Sequence, residues 1–256
     1  MPAHPSLAER LSGGAPLLTA WCGLPHPSVA GILAREAFDA VVLDTQHGAI
    51  DFAAAVQAVP LIAAAGKPAL VRIPVGEFAS ASRYLDAGAS GIIAPMINTA
   101  EDARRLAAFT KFPPLGERSW GPHAALALTG LEPAQYLKQA NDLTVTFAMV
   151  ETREALAIVD DILAVPGIDG IFIGPSDLSI ALSGGKGLDP AGAEVDKALD
   201  HALARAKAAG KIAAVYAVSG ARAAELSAKG FHLIAVGSDM GMLRAGAQAA
   251  LAAARA

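Results

Sequence analysis

Eight short runs of almost unbroken apolar residues recur along this chain, and their spacing restricts its possible folds more than any other feature. They are Leu17–Gly23, Ala40–Gln46, Pro68–Pro74, Gly91–Ile97, Thr144–Glu151, Gly170–Pro175, Ile212–Ala217 and Leu233–Ser238. A strand with one wet face alternates apolar and polar residues. These runs do not alternate, so both faces of each strand are covered, as in a parallel sheet flanked by helices. Between them lie longer alanine-rich amphipathic stretches such as 101–109 and 154–163. Gly66, Gly88, Gly167, Gly210 and Gly230 each fall shortly before a strand, where a helix would end in a left-handed cap.

Eight such units, with no linker or compositional break, predict an α/β protein with one domain over 1–256, a closed (β/α)8 barrel. An open doubly wound sheet is the alternative, but no G-x-G-x-x-G follows the first run. Two segments interrupt the rhythm. Residues 111–142 include the turn-rich stretch from Phe112 to Pro122, and 182–190 are rich in glycine. Both are expected over the C-terminal mouth, where barrel sites are built.

The chain is 54% hydrophobic and 17% charged, with a mean hydropathy of +0.43. No apolar run reaches the roughly 18–20 residues of a membrane span. The apolar excess is therefore expected inside the fold or between subunits, which points to a homo-oligomer. A net charge of −4 and no Lys/Arg cluster argue against nucleic acid. A single cysteine, Cys22, excludes an intrachain disulfide. The start, Met1-Pro2-Ala3-His4-Pro5-Ser6, lacks the basic and apolar regions of a signal peptide. Both features suit a reducing cytoplasm.

Polar groups gather where the runs stop. Glu151 ends the fifth and Asp177 follows the sixth, the position from which a carboxylate can point into a barrel mouth and hold a cation. The competing reading is that each acid merely opens the next helix. The second run ends Asp44-Thr45-Gln46-His47-Gly48 and the third Arg72-Ile73-Pro74. His47 can exchange a proton near neutral pH, with Asp44 orienting it. Arg72, in an otherwise apolar strand, must find anions: a substrate carboxylate or enolate oxygen, or Asp44 or Glu151 in an ion pair. Gly174-Pro175-Ser176-Asp177 offers the N–H groups of Ser176 and Asp177 to an anion, unless Ser176 is simply a helix cap. The strand starts, by contrast, look almost bare of ionisable groups. His4, His26, His201 and His232 have weaker contexts than His47, and His123 is a further candidate only as a cap over the mouth.

These parts suit metal-assisted enolisation of a 2-oxo acid, with His47 or a water it activates moving the proton. Schiff-base chemistry would need a core lysine, and all eight lysines fall in loops, helices or strand starts. The same segments carry a resemblance over almost the whole length. Val42-Leu43-Asp44-Thr45-Gln46-His47-Gly48, Val71-Arg72-Ile73-Pro74, Tyr84-Leu85-Asp86-Ala87-Gly88-Ala89, Pro113-Pro114-Leu115-Gly116-Glu117-Arg118-Ser119, Val150-Glu151-Thr152-Arg153-Glu154-Ala155 and Gly170–Ser179 resemble the HpcH/HpaI aldolases. These are metal-dependent class II pyruvate aldolases on a barrel of the phosphoenolpyruvate/pyruvate-binding type.

The resemblance implies that Glu151 and Asp177 hold a divalent cation, Mg²⁺ or Mn²⁺ before Co²⁺ or Zn²⁺. It implies that His47, backed by Asp44, is the acid–base residue and that Arg72 binds the oxo acid. The Gly174-Pro175-Ser176-Asp177 turn would take the substrate carboxylate. It further implies a hexamer, a trimer of dimers with the C-terminal helix exchanged, and small-molecule substrates: pyruvate or hydroxypyruvate and an aldehyde, with slow oxaloacetate decarboxylation. Two positions depart from the family pattern: Met149 where many members carry Gln, and Gln46 where an acid often precedes the histidine. The rival activities are a CoA-ester lyase of the malyl-CoA or citrate-lyase β type and a catalytically silent binding barrel.

Overall fold

The computed structural model of the chain describes residues 6–256; His4 and the rest of 1–5 lie outside it. The elements run α1 (Leu7–Ser12), β1 (Leu17–Cys22), α2 (Pro27–Leu33), β2 (Ala40–Asp44), α3 (Phe52–Ala64), β3 (Ala69–Arg72), α4 (Phe78–Asp86), β4 (Gly91–Ala94) and α5 (Ala100–Thr110). They continue α6 (His123–Thr129), α7 (Pro133–Leu143), β5 (Val145–Val150), α8 (Arg153–Ala157), α9 (Val159–Leu163), β6 (Gly170–Ile173) and α10 (Pro175–Ser183). The last are α11 (Ala193–Ala208), β7 (Ile212–Ala217), α12 (Gly220–Lys229), β8 (Leu233–Val236) and α13 (Asp239–Ala254). All eight strands pair in parallel and in chain order, and β8 closes on β1.

The unbroken apolar character of the strands follows from this closure. Side chains alternate between lumen and helix layer along each strand. Val41, Leu43, Val71, Ile92, Ala148, Val150, Ile171 and Ile173 pack outward in one core with the helices. Trp21, Val42, Leu70, Ile93, Phe147, Met149 and Phe172 fill the lumen, and Leu7 and Leu11 of α1 plug its lower end. The same parity aims the polar residues. Asp44 is two steps beyond Val42, Arg72 two beyond Leu70, Glu151 two beyond Met149, and Gly174 two beyond Phe172. Each therefore faces the upper lumen. The five glycines expected to end helices all have left-handed φ, from 64° at Gly210 to 97° at Gly88.

Several expectations are corrected. Seven of the eight strands stop one to three residues short of the apolar runs that predict them, because those final residues turn into the rim. The stretch 154–163 is two helices, broken at Ile158 (φ −116°, ψ 20°). Segment 111–142 does not overlie this chain's mouth. It follows α5, not β4, so it emerges at the N-terminal end of the barrel. There Lys111 Nζ donates to Thr144 O just ahead of β5, and Arg118 donates to Asp86 at the end of α4. His123, the first residue of α6, lies there too and caps no mouth.

Nor are the strand starts bare. Asp39 accepts from Leu18 N, Lys211 donates to Ile168 O, and Asp169 accepts from Thr146 N while pairing with Lys111 at 2.7 Å. These charges sew strand beginnings together. Residues 182–190 stay in the β6–α11 connection, but none lines the mouth cavity.

Candidate active site

At the C-terminal rim a cavity of about 280 Å³ opens between Trp21, Asp44, His47, Arg72, Met149, Phe172, Ser176, Asp177, Tyr216 and Asp239. Asp44 and Arg72 are neighbours in the β2–β3 register. The Arg72 guanidinium donates from Nε to Oδ1 (2.9 Å) and from Nη2 to Oδ2 (2.6 Å) of Asp44, and its face lies 4.8 Å from the Trp21 ring. Trp21 Nε1 adds a bond to Asp44 Oδ2 at 3.2 Å. Burial pushes the Asp44 carboxyl up, but the hydrogen bonds and charge of Arg72 and the N–H groups of His47 and Gln46 outweigh it and hold the group below its ordinary value.

Asp44 therefore clamps Arg72 and the turn after β2. It meets His47 through the main-chain N–H (3.3 Å), not through the imidazole. His47 is exposed at the cavity edge.

Glu151 is 2% exposed and does not open a helix; Thr152 caps α8, accepting from Ala155 N. One Glu151 oxygen accepts the Met96 N–H at 2.8 Å, while the other is buried without a partner. Burial pushes this carboxyl up to about 7, with the Asp177 charge adding to the rise and the Met96 N–H and Arg72 opposing it. An orphaned buried carboxylate oxygen beside a second, exposed carboxylate is the donor set a hard dication needs. Asp177 lies in the first turn of α10. That helix starts Gly174-Pro175 and no side chain caps it, so the Ser176 and Asp177 N–H groups remain for an anion; Ser176 is not the cap.

Backbone constraints hold this arrangement. A Cβ on Gly174 would sit 2.5 Å from Glu151 Oε2, and one on Gly48 would sit 2.2 Å from Asp44 O and 2.8 Å from Gly23 Cα. Met96 has φ 55°, a left-handed conformation unusual for a side chain of its size, and this turns its N–H toward Glu151. Sequence reasoning missed Met96, Trp21, Tyr216 and Asp239. Asp239 is 3% exposed and accepts the N–H groups of Gly23 and Leu24, tying the start of α13 to the turn after β1. Trp21 could have been found from its lumen parity. Nothing in the sequence marks Met96.

No lysine is among the described residues lining the cavity. Lys111 is fully buried at the opposite end, with all three N–H bonds given to Asn141 O, Thr144 O and Asp169. It is a structural clamp.

A closed barrel with an arginine, a carboxylate pair and an uncapped helix start on its rim has the groups to bind an anionic substrate beside a cation. The family model described as HpcH/HpaI aldolase/citrate lyase matches residues 18–245. A hydroxypyruvate/pyruvate aldolase of Rhizorhabdus wittichii is 43% identical over 95% of this chain and 96% of that protein. A 4-hydroxy-2-oxo-heptane-1,7-dioate aldolase of Salmonella dublin is 34% identical over 94% and 91%. The crystal structure of an HpcH/HpaI aldolase from Desulfitobacterium hafniense superposes with a TM-score of 0.90 at 27% identity, over 98% of this chain and 97% of that one. The chain belongs to the HpcH/HpaI aldolase/citrate lyase family. It is an aldolase, a carbon–carbon lyase acting on small molecules, in a family dependent on divalent metal ions. Among the described residues no helix is long and apolar enough to cross a membrane.

Proposed function

We propose that this aldolase enolises a pyruvate-type 2-oxo acid, pyruvate or hydroxypyruvate, and adds the enolate reversibly to an aldehyde. The observation that carries this reading is the orphaned Glu151 oxygen, buried against Gly174 of the cavity wall and near enough to Asp177 to feel its charge, behind the cavity that Asp177, Arg72 and the start of α10 line. Glu151 and Asp177 would hold Mg²⁺ or Mn²⁺, which when bound polarises the ketone and stabilises the enolate charge. The Ser176 and Asp177 N–H groups orient the substrate carboxylate. Arg72 keeps Nη1 for the developing enolate oxygen while Asp44 and Trp21 fix its plane, so the charge is met without reorganisation. His47, exposed at the cavity edge, takes and returns the proton. Gly174, Pro175 and Met149 complete the wall behind the donor; Met149 makes it apolar where many relatives carry an amide.

The assembly reading extends to the surface. Helix α13 has 16 residues, about 24 Å, yet buries only Asp239, leaving Leu243 and Leu251 more than half exposed. A C-terminal helix exchanged between partners, in a hexamer of cytoplasmic subunits, would cover them.

The test is deuterium exchange into the pyruvate methyl group, followed by NMR with and without a chelator. Exchange that needs Mn²⁺ or Mg²⁺, with no turnover of acyl-CoA esters, supports the reading. Exchange that survives thorough chelation contradicts it.

A further inference from the structure

We infer that Asp239 is a positioning residue for His47: from the far end of the chain it sets the turn that carries the imidazole. The inference rests on the reading above, in which His47 moves the donor's proton. His47 is exposed on the turn after β2, and among the described residues its ring has no hydrogen-bond partner. The ring therefore goes where its backbone puts it. On one side that backbone is tied to Asp44, which accepts the His47 N–H at 3.3 Å. On the other, Ala49 N donates to Gly23 O at 2.8 Å. Gly48 packs so closely there that a Cβ on it would lie 2.8 Å from Gly23 Cα.

The His47 turn thus sits on the turn after β1, and Asp239 holds that second turn. Its Oδ2 accepts Gly23 N at 2.9 Å and Leu24 N at 2.8 Å, while Oδ1 accepts Met240 N at 2.8 Å. Asp239 is itself fixed. It is 3% exposed and opens α13, just after Gly237, whose N–H donates to Ala217 O of β7. Contacts therefore run round the rim from the start of α13 through Gly23 to Ala49 and His47. They depend on where the Asp239 oxygens lie, and an amide oxygen in the place of Oδ2 would serve the same two N–H groups.

The groups that hold the donor are anchored elsewhere. Arg72 is fixed to Asp44 within the β2–β3 register, Glu151 accepts from Met96 N, and Asp177 belongs to α10. Without Asp239 the Gly23 and Leu24 N–H groups lose their partner, and the turn shifts to find another. A displacement of about 1 Å at a reacting group costs about a hundredfold in rate. Proton transfer should therefore suffer while donor and metal binding do not.

The test follows deuterium exchange into pyruvate by the Mn²⁺-loaded enzyme and its variants. Asp239→Ala should lower kcat at least tenfold, with KM for pyruvate and Kd for Mn²⁺ within about twofold of the parent. Asp239→Glu keeps an acid at the helix start but carries its oxygens one bond too far. It should fall likewise, and it decides the matter if Asp239→Ala does not fold. Asp239→Asn, with one oxygen in the right place, should stay within about threefold of the parent. By amide hydrogen exchange, Ala49 should lose protection in Asp239→Glu although its own partner, Gly23 O, is untouched. An unchanged kcat in Asp239→Glu, binding lost in step with kcat, or an Asn variant as slow as the Glu variant overturns the inference. His47→Gln separates the two levels. Exchange that survives in it refutes the proton-transfer reading, whereas exchange lost there but kept in Asp239→Glu refutes only the positioning role.

Discussion

Loading the metal-free protein with a dication should expel a proton from Glu151 near neutral pH. The carboxyl is buried with one oxygen unpartnered, and its folded value is about 7 against an ordinary 4.5. That gap corresponds to about 3 kcal/mol held against the charged form. A cation accepts only the carboxylate. The protons released per metal ion should therefore be about 0.9 at pH 6, about 0.5 at pH 7 and about 0.1 at pH 8. Calorimetric titration of chelator-treated protein with MnCl₂, repeated in buffers of different ionisation enthalpy, counts them.

The sign for stability follows from the same shift. A carboxyl raised in the folded state contributes stability that is fully present below about 4.5 and lost as pH rises through about 7. Metal-free protein should lose about 3 kcal/mol from this group between pH 4.5 and 8, and Glu151→Gln should remove that slope. Release of no proton at pH 6, or an unchanged stability slope in Glu151→Gln, would refute the reasoning.

Other consequences concern the groups around that carboxylate. Arg72→Lys keeps the charge but loses the two-pronged bond to buried Asp44, so kcat should fall about 10²- to 10³-fold with steady-state kinetics as the measure. Near-normal turnover would remove Arg72 from the site. Gly174→Ala forces a Cβ to within 2.5 Å of Glu151 Oε2 and should weaken Mn²⁺ binding at least tenfold by direct titration while circular dichroism stays native. Met96→Gly suits the left-handed backbone and keeps the N–H, so it should bind Mn²⁺ like the parent, whereas a folded Met96→Pro should not. Deleting the chain beyond Met242 should lower the number of subunits read by light scattering; an unchanged subunit number would exclude α13 from assembly.

Most of the fold was legible because a closed parallel barrel buries both faces of every strand, and that burial writes itself as unbroken apolar runs. The rim was legible for a related reason: Asp44, Arg72 and Glu151 are polar residues in step with the lumen positions Val42, Leu70 and Met149. What remained hidden depends on contacts between distant segments. The Asp44 carboxylate looked available to the His47 ring three residues on, but Arg72, 28 residues away, takes both its oxygens. Glu151 is positioned by Met96, 55 residues earlier, through a main-chain N–H that leaves no trace in side-chain pattern. The second strand's apolar run reads two residues too long because Asp44 accepts the Gln46 and His47 N–H groups and turns the chain there.

The misplacement of segment 111–142 has a different origin. Turn-rich composition suggests a mouth loop, but a segment that follows a helix emerges at the opposite end of the barrel. The charges at the strand starts leave no pattern in the sequence because Asp39, Asp169 and Lys211 are each isolated there. They acquire a role only when closure sets them against the carbonyls and N–H groups of neighbouring strands.

Anomalous scattering from crystals soaked with Mn²⁺ and pyruvate tests the central claim most directly. The account predicts one strong peak at the C-terminal mouth, about 2.2 Å from carboxylate oxygens of both Glu151 and Asp177, with the pyruvate carboxylate on the Ser176 and Asp177 N–H groups. Manganese bound elsewhere, or pyruvate seated in the mouth with no ion between those two acids, would contradict it.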